Sequence, residues 1–481
     1  MLMGVGLPVD RLKPVGATRP KAGVVHLGLG AFFRAFGCVY IADAMAASGG
    51  DWGVVGVSLQ SSRTADALRP QDWAYTSVSL GPNGEETRVI EVLNNVLVAP
   101  ENPYAVLNAM ADPNIKIVSL TVTEKGYCHN PATGRLNIAH PDIKHDLENE
   151  TPKSAIGYLF RALQIRNNAQ TPPFTVLTCD NLPENGKLVR GLVLEFAELI
   201  DPTFADWIKS ECCFPSTMVD RITPATTDAD IERVAKITGK FDAAPVMHEP
   251  FSQWAIEDNF VANTRPDFAA AGAEMVADVT AHEHMKLRML NGTHSALAYT
   301  GYLAGHETIA DTIADPVFAK FARALWAEII PTVIAPNGVN LADYADALLA
   351  RYRNPTIRHK TWQIAMDGSQ KLPQRLLGTI TENLESGRDN TALFLAVAAW
   401  MRYVSGSDEL GRAIDVRDPM AATLHDVCQM HSTPSAKATA LLSMREIFPQ
   451  TLAEKLKSPI ANAAEQIWER GARNAIQKET T

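Results

Sequence analysis

The stretch Gly23–Gly30, GVVHLGLG, decides how the first half of the chain folds. Its apolar run has the length of a buried strand. The glycines that follow open a segment of helix-like composition, Ala31–Ala47. Strand, glycine turn and helix in that order form the setting in which a dinucleotide pyrophosphate meets a helix N-terminus. Gly28 would let the chain turn, and Gly30 would let the backbone approach the phosphates. The third glycine of the usual G-x-G-x-x-G is missing, since Phe33 holds its place. A bare G-x-G also suits a plain tight turn, so the surroundings have to decide.

Those surroundings repeat the pattern. Trp52–Leu59 (WGVVGVSL), Ile115–Thr123 (IKIVSLTVT) and Phe174–Asp180 (FTVLTCD) are further strand-like runs with helical stretches between them. Continuous Val/Ile/Leu strands alternating with helices predict a parallel sheet covered on both faces. Pro82–Val98, PNGEETRVIEVLNNVLV, carries a hairpin-like signal and suggests an antiparallel insertion. After about Gly272 strand-like runs become rare. Helical patterns take over, as in Asp315–Ile330, Asn340–Arg353, Thr391–Tyr403 and Ala461–Ile476. The expected architecture is α/β. A Rossmann-type parallel-sheet domain over residues 1–275 precedes a mostly α-helical domain over residues 276–481. At 481 residues the chain exceeds the usual size of one core, which also favours two domains.

Composition excludes several classes. Hydrophobic residues make up 46% and charged residues 20%, as in a soluble protein with a large core. A net charge of −10 argues against nucleic acid as the partner. Met1–Arg19 has no continuous apolar core of a signal peptide, and no apolar run approaches the roughly 18 residues of a membrane span. The six cysteines are scattered without a C-x-x-C pair, so neither a disulfide framework nor a zinc site is expected, and a reduced cytoplasmic setting fits.

The end of the second strand normally carries an acid for the adenosine ribose. Here Ser58-Leu-Gln-Ser-Ser-Arg63 has none, and Arg63 is either a partner for a 2′-phosphate or a solvated loop residue. NAD is expected, with NADP left open.

A second stretch, Lys286–His294 (KLRMLNGTH), carries candidate chemistry. On an α-helix Lys286, Asn291 and His294 fall at about 0°, 140° and 80°, so all three can face one cleft. Removing a hydride from an alcohol needs a base for the hydroxyl proton and donors for the developing oxyanion. A desolvated lysine can serve as the base, an asparagine amide as the donor and a histidine as the orienter of the hydroxyl. The alternative is an ordinary polar helix face. Asn181 follows a strand at the carboxyl edge of the expected sheet, where ligands bind in such folds, and could add an oxyanion donor. A turn role before Pro183 is its alternative. Glu283, one turn before Lys286, could pass protons to solvent or make a surface ion pair.

Taken together these residues resemble the polyol-specific long-chain dehydrogenases, the mannitol 2-dehydrogenase family. The resemblance rests on Lys286-x4-Asn291-x2-His294 and on five motifs in order: SLTVTEKGYC (Ser119–Cys128), TCDNLPENG (Thr178–Gly186), MVDRITP (Met218–Pro224), EPFSQWAIEDNF (Glu249–Phe260) and DGSQKLPQ (Asp367–Gln374). It implies a zinc-independent dehydrogenase with Lys286 as general base, Asn181 and Asn291 as the oxyanion hole, His294 positioning substrate and Glu283 conducting protons. The cofactor set expected is Gly28, Gly30, Phe32, Arg34, Ser58, Arg63, Thr123 and Asn181. One departure stands out. The family's turn usually continues Phe-His-Arg-Ala-His, whereas this chain has Phe32-Phe33-Arg34-Ala35-Phe36.

Substrate identity is expected from Arg351–Arg375. There Arg351, Arg353, Arg358, Lys360, Lys371 and Arg375 face a single acid, Asp367. Such a cluster suits a carboxylate, or else is a solvated basic face. RHKTWQIAMDGSQKLPQRLL (Arg358–Leu377), IKHDLEN (Ile143–Asn149), PKSAIGY (Pro152–Tyr158) and MKLRMLNGTHS (Met285–Ser295) resemble the D-mannonate oxidoreductase (fructuronate reductase) branch of the family. The expected substrate is a C6 sugar acid, read by Arg358, His359 and Lys371. A dehydrogenase of neutral polyols such as mannitol, arabinitol or sorbitol is the alternative, and an NAD-sensing regulator without turnover is a more distant one. A metalloenzyme built on His282-Glu283-His284 is disfavoured, because i and i+2 diverge on a helix.

Overall fold

The computed structural model describes residues 10–16, 19–130 and 133–479; most of the stretch read for a leader lies outside them. The chain divides into two compact units, Met1–Thr280 and Ala281–Thr481.

The first unit is built on five parallel strands, here β1 (Ala22–Leu27), β2 (Gly53–Ser58), β3 (Leu93–Val98), β4 (Ile117–Leu120) and β5 (Thr175–Thr178). Their order across the sheet is β3-β2-β1-β4-β5, and all four neighbouring pairs are parallel. Strand order reverses at β1, so a crevice opens beyond the carboxyl ends of β1 and β4. Alternate side chains enter two cores. Val25, Leu27, Val57 and Val118 belong to one face; Val24, Val54, Ile117 and Leu177 belong to the other. Burial on both faces explains why these strands are apolar runs rather than alternating ones.

The expected insertion is an antiparallel hairpin, but its strands are Tyr75–Gly81 and Gly84–Ile90. Leu93–Val98, read with it, instead forms the edge of the parallel sheet beside β2. Val96 and Val98 alternate onto one buried face, and a register shift between Leu93 and Asn95 brings Leu93 into the same core.

The helix expected over Ala31–Ala47 is two helices, Ala31–Ala35 and Gly37–Ser48, meeting at Phe36. By length and composition Ala31–Ser48 is apolar enough to cross a membrane. Here Cys38, Tyr40, Ile41 and Ala44 pack in the core of the sheet.

Among the described residues the regular elements of the second unit are all helices, with two isolated bridges, Thr308 to Lys360 and Ser407 to Ala413. Helices Pro316–Ile329, Leu341–Tyr352 and Thr391–Val404 lie within a residue or two of the expected spans. The last expected helix differs. It runs from Gln450 to Arg470 through Pro459, and a separate helix, Ala472–Glu479, follows Gly471. A helix-interior proline costs about 3 kcal/mol. Burial of Leu456, Ile460 and Ile467 on one stripe offsets that, at about 1.5–3 kcal/mol for each.

Helix Thr391–Val404 is buried along nearly its whole length. Its amino end is capped from a distance, because the Ala392 and Leu393 amides donate to the two Glu328 carboxylate oxygens at 2.7 and 2.9 Å. Burial pushes the Glu328 carboxyl up to about 7, and the two amides oppose the shift.

A raised carboxyl pKa contributes stability that is present below the unfolded value of 4.5 and is lost as pH rises through about 7. Glu328→Gln is therefore expected to flatten the change of Tm with pH between those values; thermal melts at pH 5 and pH 8 on both proteins check it. Gly28→Ala is expected to destabilise the first unit by about 2–4 kcal/mol, through a strained left-handed residue and overpacking. Denaturant titration measures it, and a loss below about 0.5 kcal/mol would refute the close approach of Gly28 to the Thr121 carbonyl.

Candidate active site

In the first unit the site begins with Gly28, at φ +91°. A Cβ there would lie 2.2 Å from the Thr121 carbonyl oxygen, so only glycine fits between β1 and the end of β4. The Gly28 and Leu29 amides both donate to the Val57 carbonyl, and Thr121 Oγ1 donates to the Gly28 carbonyl at 2.9 Å. These bonds tie the ends of β1, β2 and β4 together under the crevice. Gly30 is exposed, and nothing but the Gly28 carbonyl oxygen comes within 4 Å of where its Cβ would be. The open space over Gly30, at the start of helix Ala31–Ala35, fits a pyrophosphate approaching the backbone.

Phe33 fills the place of the third glycine by an aromatic stack. Its ring lies 3.4 Å from the ring of buried His26, nearly parallel. A Cβ on Gly37 would fall 2.2 Å from the Phe33 ring, so the missing glycine is supplied one turn later. His26 is bonded on both sides, Nδ1 to Ser119 Oγ and Nε2 to Thr121 Oγ1, and burial lowers it to about 3, so it stays neutral. Phe36 packs on Phe32, Tyr40 and Trp254. The two phenylalanines that depart from the family pattern thus serve the interior.

The other expected cofactor residues are placed as follows. Phe32 is half-buried, Ser58 is buried at the end of β2, and Arg63 is exposed at the start of helix Arg63–Leu68. Arg34 is buried. Its Nε donates to the Gly30 carbonyl and its Nη1 to the Ala244 carbonyl, and its guanidinium lies over the Tyr75 ring. Arg34 therefore braces the turn from below.

Thr123 has φ +62°. Its amide donates to Asp180 Oδ1, and the Val122 amide donates to Asp180 Oδ2, each at 2.9 Å. Tyr127 donates its hydroxyl to the same Oδ2 at 2.8 Å. Asn181, the next residue, is exposed at the carboxyl end of β5. Sequence reading missed Asp180 and Tyr127. The available signal was a charged residue closing an otherwise apolar strand.

In the second unit the candidate residues sit on an unusual turn. Helix Thr280–Met285 passes into a π-helix over Lys286–Gly292, and α-helix resumes at Thr293–Leu303. The α-helical wheel expected from sequence is therefore corrected. In an i→i+5 turn Lys286 and Asn291, five apart, stand one above the other rather than about 140° apart. Lys286, Asn291 and His294 are all buried. Widening the turn frees backbone carbonyls, and distant side chains satisfy them. Trp326 Nε1 donates to the Met289 carbonyl at 3.1 Å, and Tyr352 donates its hydroxyl to the Leu290 carbonyl at 2.8 Å. Neither partner carries a local sequence signal. Glu283 is half-buried in the α-helical turn just before.

His294 stacks on Tyr352 at 5.4 Å and meets His359 edge-on at 4.9 Å. Burial first, and then the charges of His359, Arg375, Arg351 and Lys371, hold His294 well below its ordinary pKa. His359 falls to about 4 for the same leading reason, and its buried Nδ1 makes no hydrogen bond. Both rings are neutral near pH 7 and can donate or accept, but neither is an acid there.

The basic cluster divides. Arg358 and Lys360 are exposed and pair with Glu307 at 3.3 and 3.2 Å. Lys371 and Arg375 are half-buried instead. Lys371 Nζ donates to the Met366 carbonyl at 2.6 Å, and burial lowers its pKa to about 8. Arg375 Nη1 donates to Ser295 Oγ at 2.9 Å, on the helix that carries His294. Arg375 lies in a second π turn, Pro373–Leu377, whose Arg375 carbonyl approaches Gly292; a Cβ there would be 2.7 Å away. Arg375 belonged to the basic run but was not singled out as a substrate residue.

Among the described residues one mixed cluster could in principle hold a metal: Cys128, His140 and Asp142 in the first unit. His140 Nδ1 already accepts the Asp142 amide, and the group lies at the amino end of helix Pro141–Glu148, which disfavours a cation.

Comparison with known proteins agrees over the chain's length. The family model described as the mannitol dehydrogenase Rossmann domain matches residues 22–269, and the mannitol dehydrogenase C-terminal domain matches residues 278–468. The D-mannonate oxidoreductase of Escherichia coli K12 is 46% identical over 468 residues, covering 95% of this chain and 96% of its own. A mannitol 2-dehydrogenase of Aspergillus fumigatus is 39% identical over 471 residues, covering 95% and 92%. The solved Pseudomonas fluorescens mannitol 2-dehydrogenase, in ternary complex with NAD and D-mannitol, is 35% identical with a TM-score of 0.86, covering 98% of this chain and 97% of its own. A D-sorbitol dehydrogenase is 33% identical with a TM-score of 0.88, covering 98% of each chain. Glycine turn, widened Lys–Asn turn and these full-length likenesses agree, and the chain belongs to the mannitol dehydrogenase family, oxidoreductases with an NAD-binding Rossmann domain followed by a helical C-terminal domain.

Proposed function

We propose that this enzyme transfers hydride reversibly between D-mannonate and D-fructuronate, with NAD(H) as cofactor. The observation that carries the substrate is the set of basic side chains brought in beside His294: Arg375 bonds to Ser295, the residue after His294, at 2.9 Å, and Lys371 is half-buried one turn before Arg375. A neutral polyol has no need of these charges, whereas a carboxylate pairs with them through charge-assisted bonds. The relationship to a D-mannonate oxidoreductase supports the same reading.

In this scheme NAD, when bound over Gly30, would supply the acceptor for the hydride of the substrate carbon. Lys286 takes the hydroxyl proton, and in the reductive direction returns it. Asn291, stacked over Lys286 by the π turn, donates to the developing oxyanion, and Asn181 is assigned as the second donor. Neutral His294 orients the hydroxyl. Glu283, one turn before the lysine, passes the proton on. Lys371 and Arg375 receive the carboxylate, and the unpartnered Nδ1 of His359 offers it a further polar atom. Arg358, expected in this role from sequence, is held by Glu307 at the surface, so Lys371 carries more of the reading.

A mannitol 2-dehydrogenase activity is the second reading, favoured by the likeness to the Pseudomonas fluorescens enzyme. Oxidation of D-mannonate and mannitol in parallel, with NAD and with NADP, separates the two. The sugar acid with NAD is expected to give the higher kcat/KM, and a preference for mannitol would overturn the substrate reading.

Two predictions follow from the residues. Lys286→Ala is expected to lower kcat by about 10²–10⁴-fold while NADH binding, followed by fluorescence, persists; retained turnover removes Lys286 as the base. Lys371 loses its proton as pH rises through about 8, so the KM for D-mannonate is expected to climb above that pH while the KM for mannitol stays level. Lys371→Gln is expected to raise the D-mannonate KM by about 10-fold or more and to abolish that rise.

A further inference from the structure

Asn181 stands on the exposed end of β5, yet the residue before it is buried. Asp180 points its carboxylate into the first unit and receives three donors: the Val122 amide, the Thr123 amide and the Tyr127 hydroxyl. No cation is among those three partners. A desolvated carboxylate without a counter-ion is costly, and three donors are what keep such a group charged. The arrangement is more than local packing, because Val122 and Thr123 form the loop beyond β4, on the crevice where the strand order reverses. Thr123 is held there in the left-handed region, φ +62°, which a threonine adopts only under constraint.

The backbone of Asp180 is held as firmly from the other side. Its carbonyl accepts from Asn185 Nδ2 at 2.8 Å and from the Leu182 amide at 2.9 Å. Asn185 is itself fully committed. Its Nδ2 also donates to the Thr217 carbonyl, and its Oδ1 accepts the Thr217 amide. The peptide that leads into Asn181 is thus clamped by the loop beyond β4 through a side chain, and by Asn185 through its carbonyl.

We propose that Asp180 is a positioning residue that sets the place of Asn181 relative to the loop Val122–Thr123, joining the cofactor crevice to the oxyanion donor. This rests on the reading of Asn181 given above. An oxyanion donor must sit within a few tenths of an ångström of where charge develops, and a displacement of about 1 Å costs roughly 10²-fold in rate. Asp180→Asn replaces one acceptor oxygen by an N–H₂ facing an N–H, so the clamp opens.

The experiment is a double-mutant cycle in kcat with NADH binding measured alongside. Asn181→Ala is expected to lower kcat by about 10²–10³-fold, and Asp180→Asn by about 10–100-fold. In the Asn181→Ala background Asp180→Asn is expected to cost less than about 2-fold further, since there is no donor left to place. NADH affinity is expected to fall modestly in Asp180→Asn, through the Val122–Thr123 loop. A gentler variant, Tyr127→Phe, removes one donor and keeps the cycle usable if Asp180→Asn does not fold. It is expected to lower kcat several-fold in the native background and not in Asn181→Ala. Full additivity of either variant with Asn181→Ala overturns the positioning role and leaves the reading of Asn181 intact. An unchanged kcat in Asn181→Ala alone overturns that reading first.

Discussion

The close approach of the Gly292 backbone to the Arg375 carbonyl is the constraint on which the second unit depends. A Cβ at Gly292 would be 2.7 Å from that oxygen, so two widened turns, Lys286–Gly292 and Pro373–Leu377, can lie against each other only through a glycine. One turn carries Lys286 and Asn291, the proposed base and oxyanion donor. The other carries Arg375, which is bonded back to Ser295 one residue beyond His294. Spacing between Lys286 and Asn291 on one turn and Arg375 on the other is thereby set by backbone contact rather than by flexible side chains. Such preorganisation is what catalysis by orientation requires.

A π turn is unfavourable by itself, because it leaves carbonyls that an α-helix would have used. Trp326 and Tyr352 reach in from two other helices to take the Met289 and Leu290 carbonyls. Each bond contributes about 1 kcal/mol, and leaving either carbonyl buried and unpaired would cost about 1–3 kcal/mol. Tyr352 also stacks on His294, so one side chain both holds the turn open and fixes that ring. Burial first, and then the surrounding cations, keep that ring neutral. A charged histidine in that position would compete with Lys371 and Arg375 for an anion, whereas a neutral one can share a hydroxyl.

The first unit solves a parallel problem with different means. Its crevice is shaped by three loops that must meet at one place, and Gly28, Thr121 and Asp180 provide the meeting points. The aromatic stack of His26 and Phe33 shows how a departure from the usual glycine pattern is absorbed. Gly37 yields the space that Phe33 takes, and His26 turns both nitrogens to hydroxyl partners. Arg34, which the glycine-turn motif suggested for the cofactor, is drawn inward by the Gly30 and Ala244 carbonyls.

Local chemistry was legible in the residues alone. Apolar β-branched runs specified strands β1, β2, β4 and β5, since burial on both faces leaves no room for polar side chains. Gly28 and Gly30 marked the turn, and Lys286, Asn291 and His294 marked candidate groups that the fold buries on one turn and the start of the next helix. What stayed hidden depended on partners far along the chain. Leu93–Val98 reads equally as a hairpin strand or as a sheet edge, and only the neighbouring β2 decides. The π turn depends on Trp326 and Tyr352, and the division of the basic run depends on Glu307, which holds Arg358 and Lys360 at the surface, while Arg375 turns inward to Ser295 and Lys371 to the Met366 carbonyl, 4.0 Å from Asp367. Sequence by itself determined which elements form and which side chains can do chemistry, because these follow from periodicity and functional groups. Tertiary structure alone decided which of those groups are buried, paired or held in register, because burial and pairing are properties of contacts that no local stretch contains.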